Sequence, residues 1–407
     1  MKKKYLTGKR ILFAALAILV ISGLFVVNYL VSKNFPGGKF FLTQWTATRA
    51  VLLEHESPYS PGTLYQIQNN VYARPAMSGE YEFRFNYPYY VMAIFIPVSL
   101  IKDYPIARAF WMLFLELLVL VTFIECFNIS NWKPNLRIGI VLFLFFATGY
   151  HTLRAIIDGN LIILTTLFLV LVIISIRNRS DEFAGIFLAG LTAQIQFFII
   201  PIIVFSWFAV QKRRLNILWY FLGTLTILAG FSFLFQPDWI NSYVQQLWLS
   251  MINNPFGSII TMMSSQYGEL GTRIGVTISI FASILILVEW ILVRKNNLRS
   301  FIWFIFFLIG TSLFCGLPAD IGNFYLLLPG LIFILSVTSN RWTMRGELIV
   351  FIVSIVLFSG TWSLFFIQQG KVPDYSETAW YYGFIPVIEI TLLYWSKWWI
   401  QKHSTVA

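Results

Sequence analysis

The residues able to do chemistry gather in a few short polar stretches of an otherwise apolar chain. The longest, residues 33–88, holds Lys39, Gln44, Arg49, Glu54, His55, Glu56, Arg74, Glu80, Glu82 and Arg84, and closes on Phe85-Asn86-Tyr87-Pro88. A second, residues 151–160, adds His151, Arg154, Asp158 and Asn160. Gln194 and Gln196 stand inside an apolar run, and Tyr267, Glu269, Arg273, Asp320 and Asn323 follow further on. Arginines grip phosphate through paired N–H groups, His151 can join them, and a carboxylate removes a proton. A lipid phosphate is the ligand that suits this set. Taken singly, each stretch reads equally well as a solvated loop or a helix cap. Their convergence on one face is what points to a cavity.

Metal chemistry is not expected. Cys126 and Cys315 lie in separate apolar runs, and His55, His151 and His403 are scattered, so neither a disulfide framework nor a ligand-spaced metal motif is present.

The elements that must position these residues are membrane helices. Of the 407 residues, 58% are hydrophobic and 12% charged, with mean hydropathy +0.73. Many runs reach the length of about 18 apolar residues that calls for a hydrocarbon solvent. The net charge of +11 does not indicate nucleic acid. Its basic residues flank apolar runs, at Arg177 and Arg179, at Lys212, Arg213 and Arg214, at Arg294 and Lys295, and at Arg341 and Arg345. That placement marks the cytoplasmic ends of spans beside anionic lipid headgroups.

Residues 11–31 form an anchor with no small-residue cleavage site. The basic residues before it place the N-terminus in the cytoplasm. Residues 32–104 then form a first outer loop. Within it Phe41, Trp45, Thr48 and Leu52 share one helical face and Lys39, Thr43 and Thr46 another, which predicts an interfacial helix. Residues 87–101 would span about 22 Å against about 30 Å of hydrocarbon. They also carry Pro88 and Pro97, so a re-entrant segment is expected.

Spans at 105–127, 138–153 and 161–176 follow. Residues 184–210 have basic clusters at both ends, which predicts a pair of short helices with an outward tip at Thr192-Ala193-Gln194-Ile195-Gln196. Such broken helices also occur in transporters, so a transport reading stays open. A span at 215–235 leads to a second long outer segment, 236–275. Spans at 276–293, 301–315, 324–337, 348–367 and 381–400 complete the chain. The expectation is an all-α polytopic integral membrane protein of about eleven to twelve helices. It forms a single domain over 1–407, with both termini cytoplasmic and the polar face outward.

In order along the chain stand Pro36-Gly37-Gly38-Lys39-Phe40-Phe41, Trp45, Thr48-Arg49-Ala50, Ser57-Pro58-Tyr59-Ser60, Tyr72-Ala73-Arg74-Pro75 and Tyr87-Pro88-Tyr89. Asp158-Gly159-Asn160, Ala184-Gly185-Ile186-Phe187-Leu188-Ala189-Gly190, Pro237-Asp238-Trp239, Glu289-Trp290 and Asp320-Ile321-Gly322-Asn323-Phe324 follow. This series resembles the membrane glycosyltransferases of the C-type superfamily, family 87, the polyprenol-phosphate-mannose-type transferases. The resemblance implies their fold. It also implies an inverting transfer of a hexose such as mannose from a polyprenyl-phosphate donor to a lipid or glycan acceptor. The setting would be the outer face of a bacterial plasma membrane, with membrane lipids as surroundings, no cofactor and no nucleic-acid partner. In that family an acid of the first outer loop deprotonates the acceptor, and polar and cationic groups hold the phosphate.

Two positions depart from the family pattern. The loop Asp expected after the glycine turn falls at Phe40, and the Lys expected at the helix-pair tip falls at Gln194. Either another acid serves, Glu82 first and Asp158 second, with Glu80 also in the loop, or the chain is an inactive relative or a transporter of lipid-linked glycans. On the active reading Arg74, Arg84, Tyr87, His151, Arg154, Asn160, Gln194, Gln196, Glu269, Arg273, Asp320 and Asn323 bind substrate.

Overall fold

The computed structural model describes residues 2–35, 37–254, 258–294, 297–315, 320–342, 345–368 and 384–402. Pro36, Lys295 and His403, which enter the sequence reading, lie outside these, as do residues 381–383 of the span expected at 381–400. Among the described residues the chain is helical with no strand. The helices are α1 (Lys2–Asn34), α2 (Lys39–Glu54), α3 (Pro61–Tyr72), α4 (Met92–Ser99), α5 (Tyr104–Ser130), α6 (Leu136–Thr148), α7 (Tyr150–Asp158), α8 (Ile162–Arg177) and α9 (Asp181–Gly190). There follow α10 (Ile195–Gln211), α11 (Asn216–Phe235), α12 (Trp239–Asn253), α13 (Ile259–Val293), α14 (Leu298–Cys315), α15 (Leu328–Arg341), α16 (Gly346–Gln368) and α17 (Phe384–Lys402). Short 3₁₀ turns cover Tyr89–Val91, Leu191–Gln194 and Ile321–Leu327.

Among the described residues eight helical stretches, or nine when α6 and α7 count as one span bent by 43°, are long and apolar enough to cross a membrane, although one of the eight, Asp181–Gln211, folds back on itself. The chain is therefore an integral membrane protein by its architecture. The count falls below the eleven to twelve expected. At 16 residues, α8 reaches only about 24 Å, and α17 is diluted by Glu389, Lys397 and its tryptophans.

Caps start and stop these helices where their side chains allow. Asp103 accepts the Ile106 N–H at 3.0 Å and opens α5, and Asn135 accepts the Ile138 N–H at 2.9 Å and opens α6. Ser60 accepts the Thr63 N–H at 3.0 Å ahead of Pro61, and so opens α3. Gly38 precedes α2 at φ 73°. A Cβ there would meet Arg108 Nε at 2.5 Å and the Tyr104 hydroxyl at 2.7 Å, so only glycine fits both the backbone and the space.

The basic clusters come together at one end. Arg177 donates to the carbonyls of Asn128 and Ile129, the latter at 3.0 Å. Gln211 reaches the Arg294 carbonyl at 2.9 Å, and Asn135 reaches Glu347 at 2.5 Å. Arg214 pairs with Asp181 and donates to the Ile176 carbonyl at 2.8 Å.

That last pair decides how residues 181–211 run. A straight helix of 31 residues would be about 46 Å long, yet Arg214 touches Asp181. The chain must turn back, and it does so at Leu191–Gln194, where Gln194 leaves helical geometry with φ −132° and ψ 63°. The two short helices and their tip lie where the basic clusters predicted them. Residues 89–101 likewise stay beside α2, with Arg49 donating to the Ser99 carbonyl at 2.9 Å and Trp45 to that of Ile101 at 3.3 Å.

Hydropathy did not separate core from periphery. The long apolar window of α1 is 6% buried and those of α11 and α13 are 11% buried, whereas that of Ile321–Arg341 is 94% buried. So α8, α14 and α15 form the inside, α5, α9 and α10 are partly buried, and α1, α11 and α13 lie at the periphery. The interfacial reading of α2 also needs correction. Thr43 and Thr46, expected on a polar face, are buried: α3 covers Thr46, with Asn70 donating to it at 3.2 Å, and Thr43 lies on the wall of a cavity.

Candidate functional site

At the end of the bundle opposite the basic clusters lies a cavity of about 600 Å³, open to solvent. Five distant pieces of chain wall it. The first loop supplies Phe40, Thr43, Tyr81, Phe83, Arg84, Asn86 and Tyr87. The break after α7 supplies Asn160, the α9–α10 tip supplies Gln194, Gln196 and Phe197, and the 3₁₀ turn before α15 supplies Asp320 and Asn323. Leu247, Ser250 and Met251 of α12 close the remaining side.

Each polar group is held by its element. Gly159 ends α7 in the left-handed region, with φ 70°. Asn160 then accepts the Ile162 N–H at 3.0 Å and donates to Asn323 Oδ1 at 2.7 Å. The Thr165 hydroxyl donates to Gln194 Oε1 at 2.7 Å, and the Tyr90 and Thr192 hydroxyls meet at 2.6 Å. Gln44 donates to the Tyr87 hydroxyl at 3.1 Å. Burial pushes the Tyr87 phenol up to about 12, so it remains a neutral hydrogen-bonding group at physiological pH. Asp320 caps its own turn, its Oδ2 accepting the Gly322 N–H at 3.2 Å.

The polar face of α12 pins the returning strand of the first loop. Asn254 accepts the Glu82 N–H at 2.8 Å, Ser250 accepts from Asn86 at 3.0 Å, and Gln246 accepts from Arg84 at 2.9 Å. Glu82 takes the Arg84 Nε at 2.5 Å and the Asn253 amide at 3.2 Å. Arg84 is thus a guanidinium locked in place with 15% of its side chain exposed.

Of the residues expected to bind substrate, Arg84, Tyr87, Asn160, Gln194, Gln196, Asp320 and Asn323 share this wall. The others do not line it. Arg74 forms a two-pronged pair with Glu80, both contacts 2.7 Å, at the loop tip. His151 packs edge-on against Phe324 and meets the Ile321 carbonyl at 3.0 Å, on a separate, smaller apolar cavity with Phe145, Leu331 and Leu357. Arg154 pairs with Asp158 at 2.8 Å. Glu269 and Arg273 pair one turn apart on α13, with 82% and 75% of their side chains exposed, and Tyr267 beside them is exposed too.

Neither expected base is on the wall. Glu82 faces Arg84 and Asn253 just behind it, and Asp158 is buried under Arg154. Phe40, where the resemblance places a carboxylate, does stand on the wall, packed against Tyr81 and Phe83. The sequence reading missed Thr43, Asn86, Ser250 and the amides of α12. Single small polar residues, such as Thr43 on α2, Asn86 in the loop and Ser250 on α12, carry no motif or spacing signal. Among the described residues no cluster of three potential metal ligands occurs.

A wall of five amides with threonine, serine and tyrosine hydroxyls offers donors and acceptors side by side, as sugar hydroxyls require. The rings of Phe40, Tyr81, Phe83 and Phe197 offer flat apolar faces beside them. One guanidinium supplies a phosphate site. No family model matches this sequence, and no curated protein matches it.

Proposed function

We propose that this chain is a membrane glycosyltransferase that takes a sugar, a hexose such as mannose, from a polyprenyl-phosphate donor. It passes the sugar with inversion to a lipid or glycan hydroxyl at the outer face of a bacterial plasma membrane. One observation carries the reading: residues from five separate stretches meet in a single cavity that combines amides, aromatic rings and one fixed guanidinium. The order of motifs along the chain, which resembles the C-type family, supports the same chemistry. By the positive-inside rule the cavity end faces outward, away from the clustered arginines and lysines.

Full-length protein in lipid nanodiscs, given labelled polyprenyl-phosphate mannose and a panel of hydroxyl acceptors, is expected to bind the donor and release polyprenyl phosphate. Failure to bind either the donor or polyprenyl phosphate itself would sink the reading. A second reading has its own observation. Phe40 places a phenyl ring, which takes no proton, where the resemblance expects a carboxylate. A chain that binds the donor, transfers nothing, and moves lipid-linked sugar across liposomes is a carrier of such glycans.

A further inference from the structure

We infer that Asp320 is the proton acceptor of this transfer, an assignment that rests on the glycosyltransferase reading. The argument runs by elimination among acids and then by geometry. Glu80 is clamped by both nitrogens of Arg74 and by the Met77 N–H at 2.8 Å. Glu82 is engaged by Arg84 and Asn253. Asp158 is buried and paired with Arg154, and Asp103 caps α5 away from the wall. Asp320 is the carboxylate that lines the cavity.

It sits beside the Asn160–Asn323 pair and is in no ion pair among the described residues. Among the described residues its Oδ2 accepts a hydrogen bond, from Gly322, and its Oδ1 accepts none, which fixes the side chain and leaves Oδ1 able to take a proton. The Asp320 backbone carbonyl accepts the Asn323 N–H at 2.8 Å, so the carboxylate is carried on a closed turn.

The step balances without a further reactant. The acceptor oxygen forms its bond to C1 of the sugar while its proton passes to the Asp320 carboxylate. The bond from C1 to the phosphate oxygen breaks, and its electron pair leaves on polyprenyl phosphate. Arg84, on the same cavity, meets that charge. Attack opposite the leaving group inverts C1.

Asp320→Asn separates the proton role from the structural one, because asparagine caps a helical turn as well as aspartate does. The variant in nanodiscs is expected to bind polyprenyl-phosphate mannose as the parent does and to transfer it about 100-fold more slowly or worse. Asp320→Glu should restore part of the rate. If Asp320→Asn transfers at the parent rate, the assignment is wrong and the transferase reading stands. If the parent binds the donor but transfers to no hydroxyl, both are wrong. Lost donor binding in Asp320→Asn with full binding in Asp320→Glu would show a substrate-gripping role and overturn the proton-acceptor assignment.

Discussion

On the proposed reading, Arg84 is the residue on which donor binding should turn. Its Nε is held by Glu82 and its Nη1 by Gln246, so the guanidinium is oriented before any ligand arrives. A charged hydrogen bond to phosphate contributes about 1.5–3 kcal/mol, and tenfold in affinity is about 1.4 kcal/mol. Arg84→Ala is therefore expected to weaken polyprenyl-phosphate binding roughly 10- to 100-fold, read by titration in nanodiscs. Glu82→Gln keeps an oxygen for Arg84 and should cost clearly less; an equal loss would make Glu82 a direct participant. Glu80 plays a different part. Its hydrogen bonds from Arg74 and from the Met77 N–H hold its carboxyl at about 2, below the ordinary 4.5. A lowered carboxyl stabilises the fold above its ordinary value and stops doing so as pH falls toward the lowered one. The loop tip between Tyr72 and Tyr81 should thus resist protease unchanged from neutral pH down to about 4.5 and loosen progressively as pH falls from there toward about 2. The residue types of Arg84, Tyr87, Asn160, Gln194 and Asp320 made them visible in the sequence, since polar groups beside long apolar runs stand out. Asn86, Ser250, Asn253 and Asn254 were not visible, because their role comes entirely from α12 folding over the loop.

At the level of elements, the break between α7 and α8 does most to assemble the cavity. Gly159 sits at φ 70°, its carbonyl takes the Trp111 indole N–H at 3.1 Å, and a Cβ there would meet the Phe41 Cβ at 2.4 Å. One glycine therefore brings α2, α5 and α7 to the point where Asn160 enters the wall. Gly79, at φ 88° with nothing within 4 Å of its Cβ position, is the internal control. Alanine at either site pays the left-handed backbone cost of about 1–2 kcal/mol. Only Gly159→Ala must also displace Phe41 and its stack on Trp111. Its thermal midpoint in detergent should fall well below that of Gly79→Ala, with donor binding reduced alongside; equal midpoints would remove the packing argument. The sequence announced this break, as Asp158-Gly159-Asn160 interrupts an apolar run with residues that end helices. It did not announce that α8, α14 and α15 are interior while α1, α11 and α13 are peripheral. In hydrocarbon an apolar side chain gains little from facing protein rather than lipid, so hydropathy is silent on the difference.

For the molecule as a whole, two ends of opposite character are the governing feature, and the helix pair α9–α10 is what keeps them distinct. Were residues 181–211 a single crossing, Arg179 and Lys212 would lie on opposite sides, and everything from α11 onward would be inverted relative to the cavity. The Asp181–Arg214 pair excludes this within the fold, while the side of the membrane on which each end lies follows from the positive-inside rule. Exposed positions give the test. His55 and Ser78 are exposed at the cavity end, and Arg179 and Lys212 are exposed at the basic end. In a background lacking Cys126 and Cys315, His55→Cys and Ser78→Cys should react with a membrane-impermeant maleimide on intact cells. Arg179→Cys and Lys212→Cys should react only after lysis. Labelling of just one of Arg179→Cys and Lys212→Cys from outside would mean that residues 181–211 cross after all. Labelling of both from outside, with positions 55 and 78 silent, would keep the fold and turn the cavity to the cytoplasm, where a donor presented at the outer face could not reach Arg84.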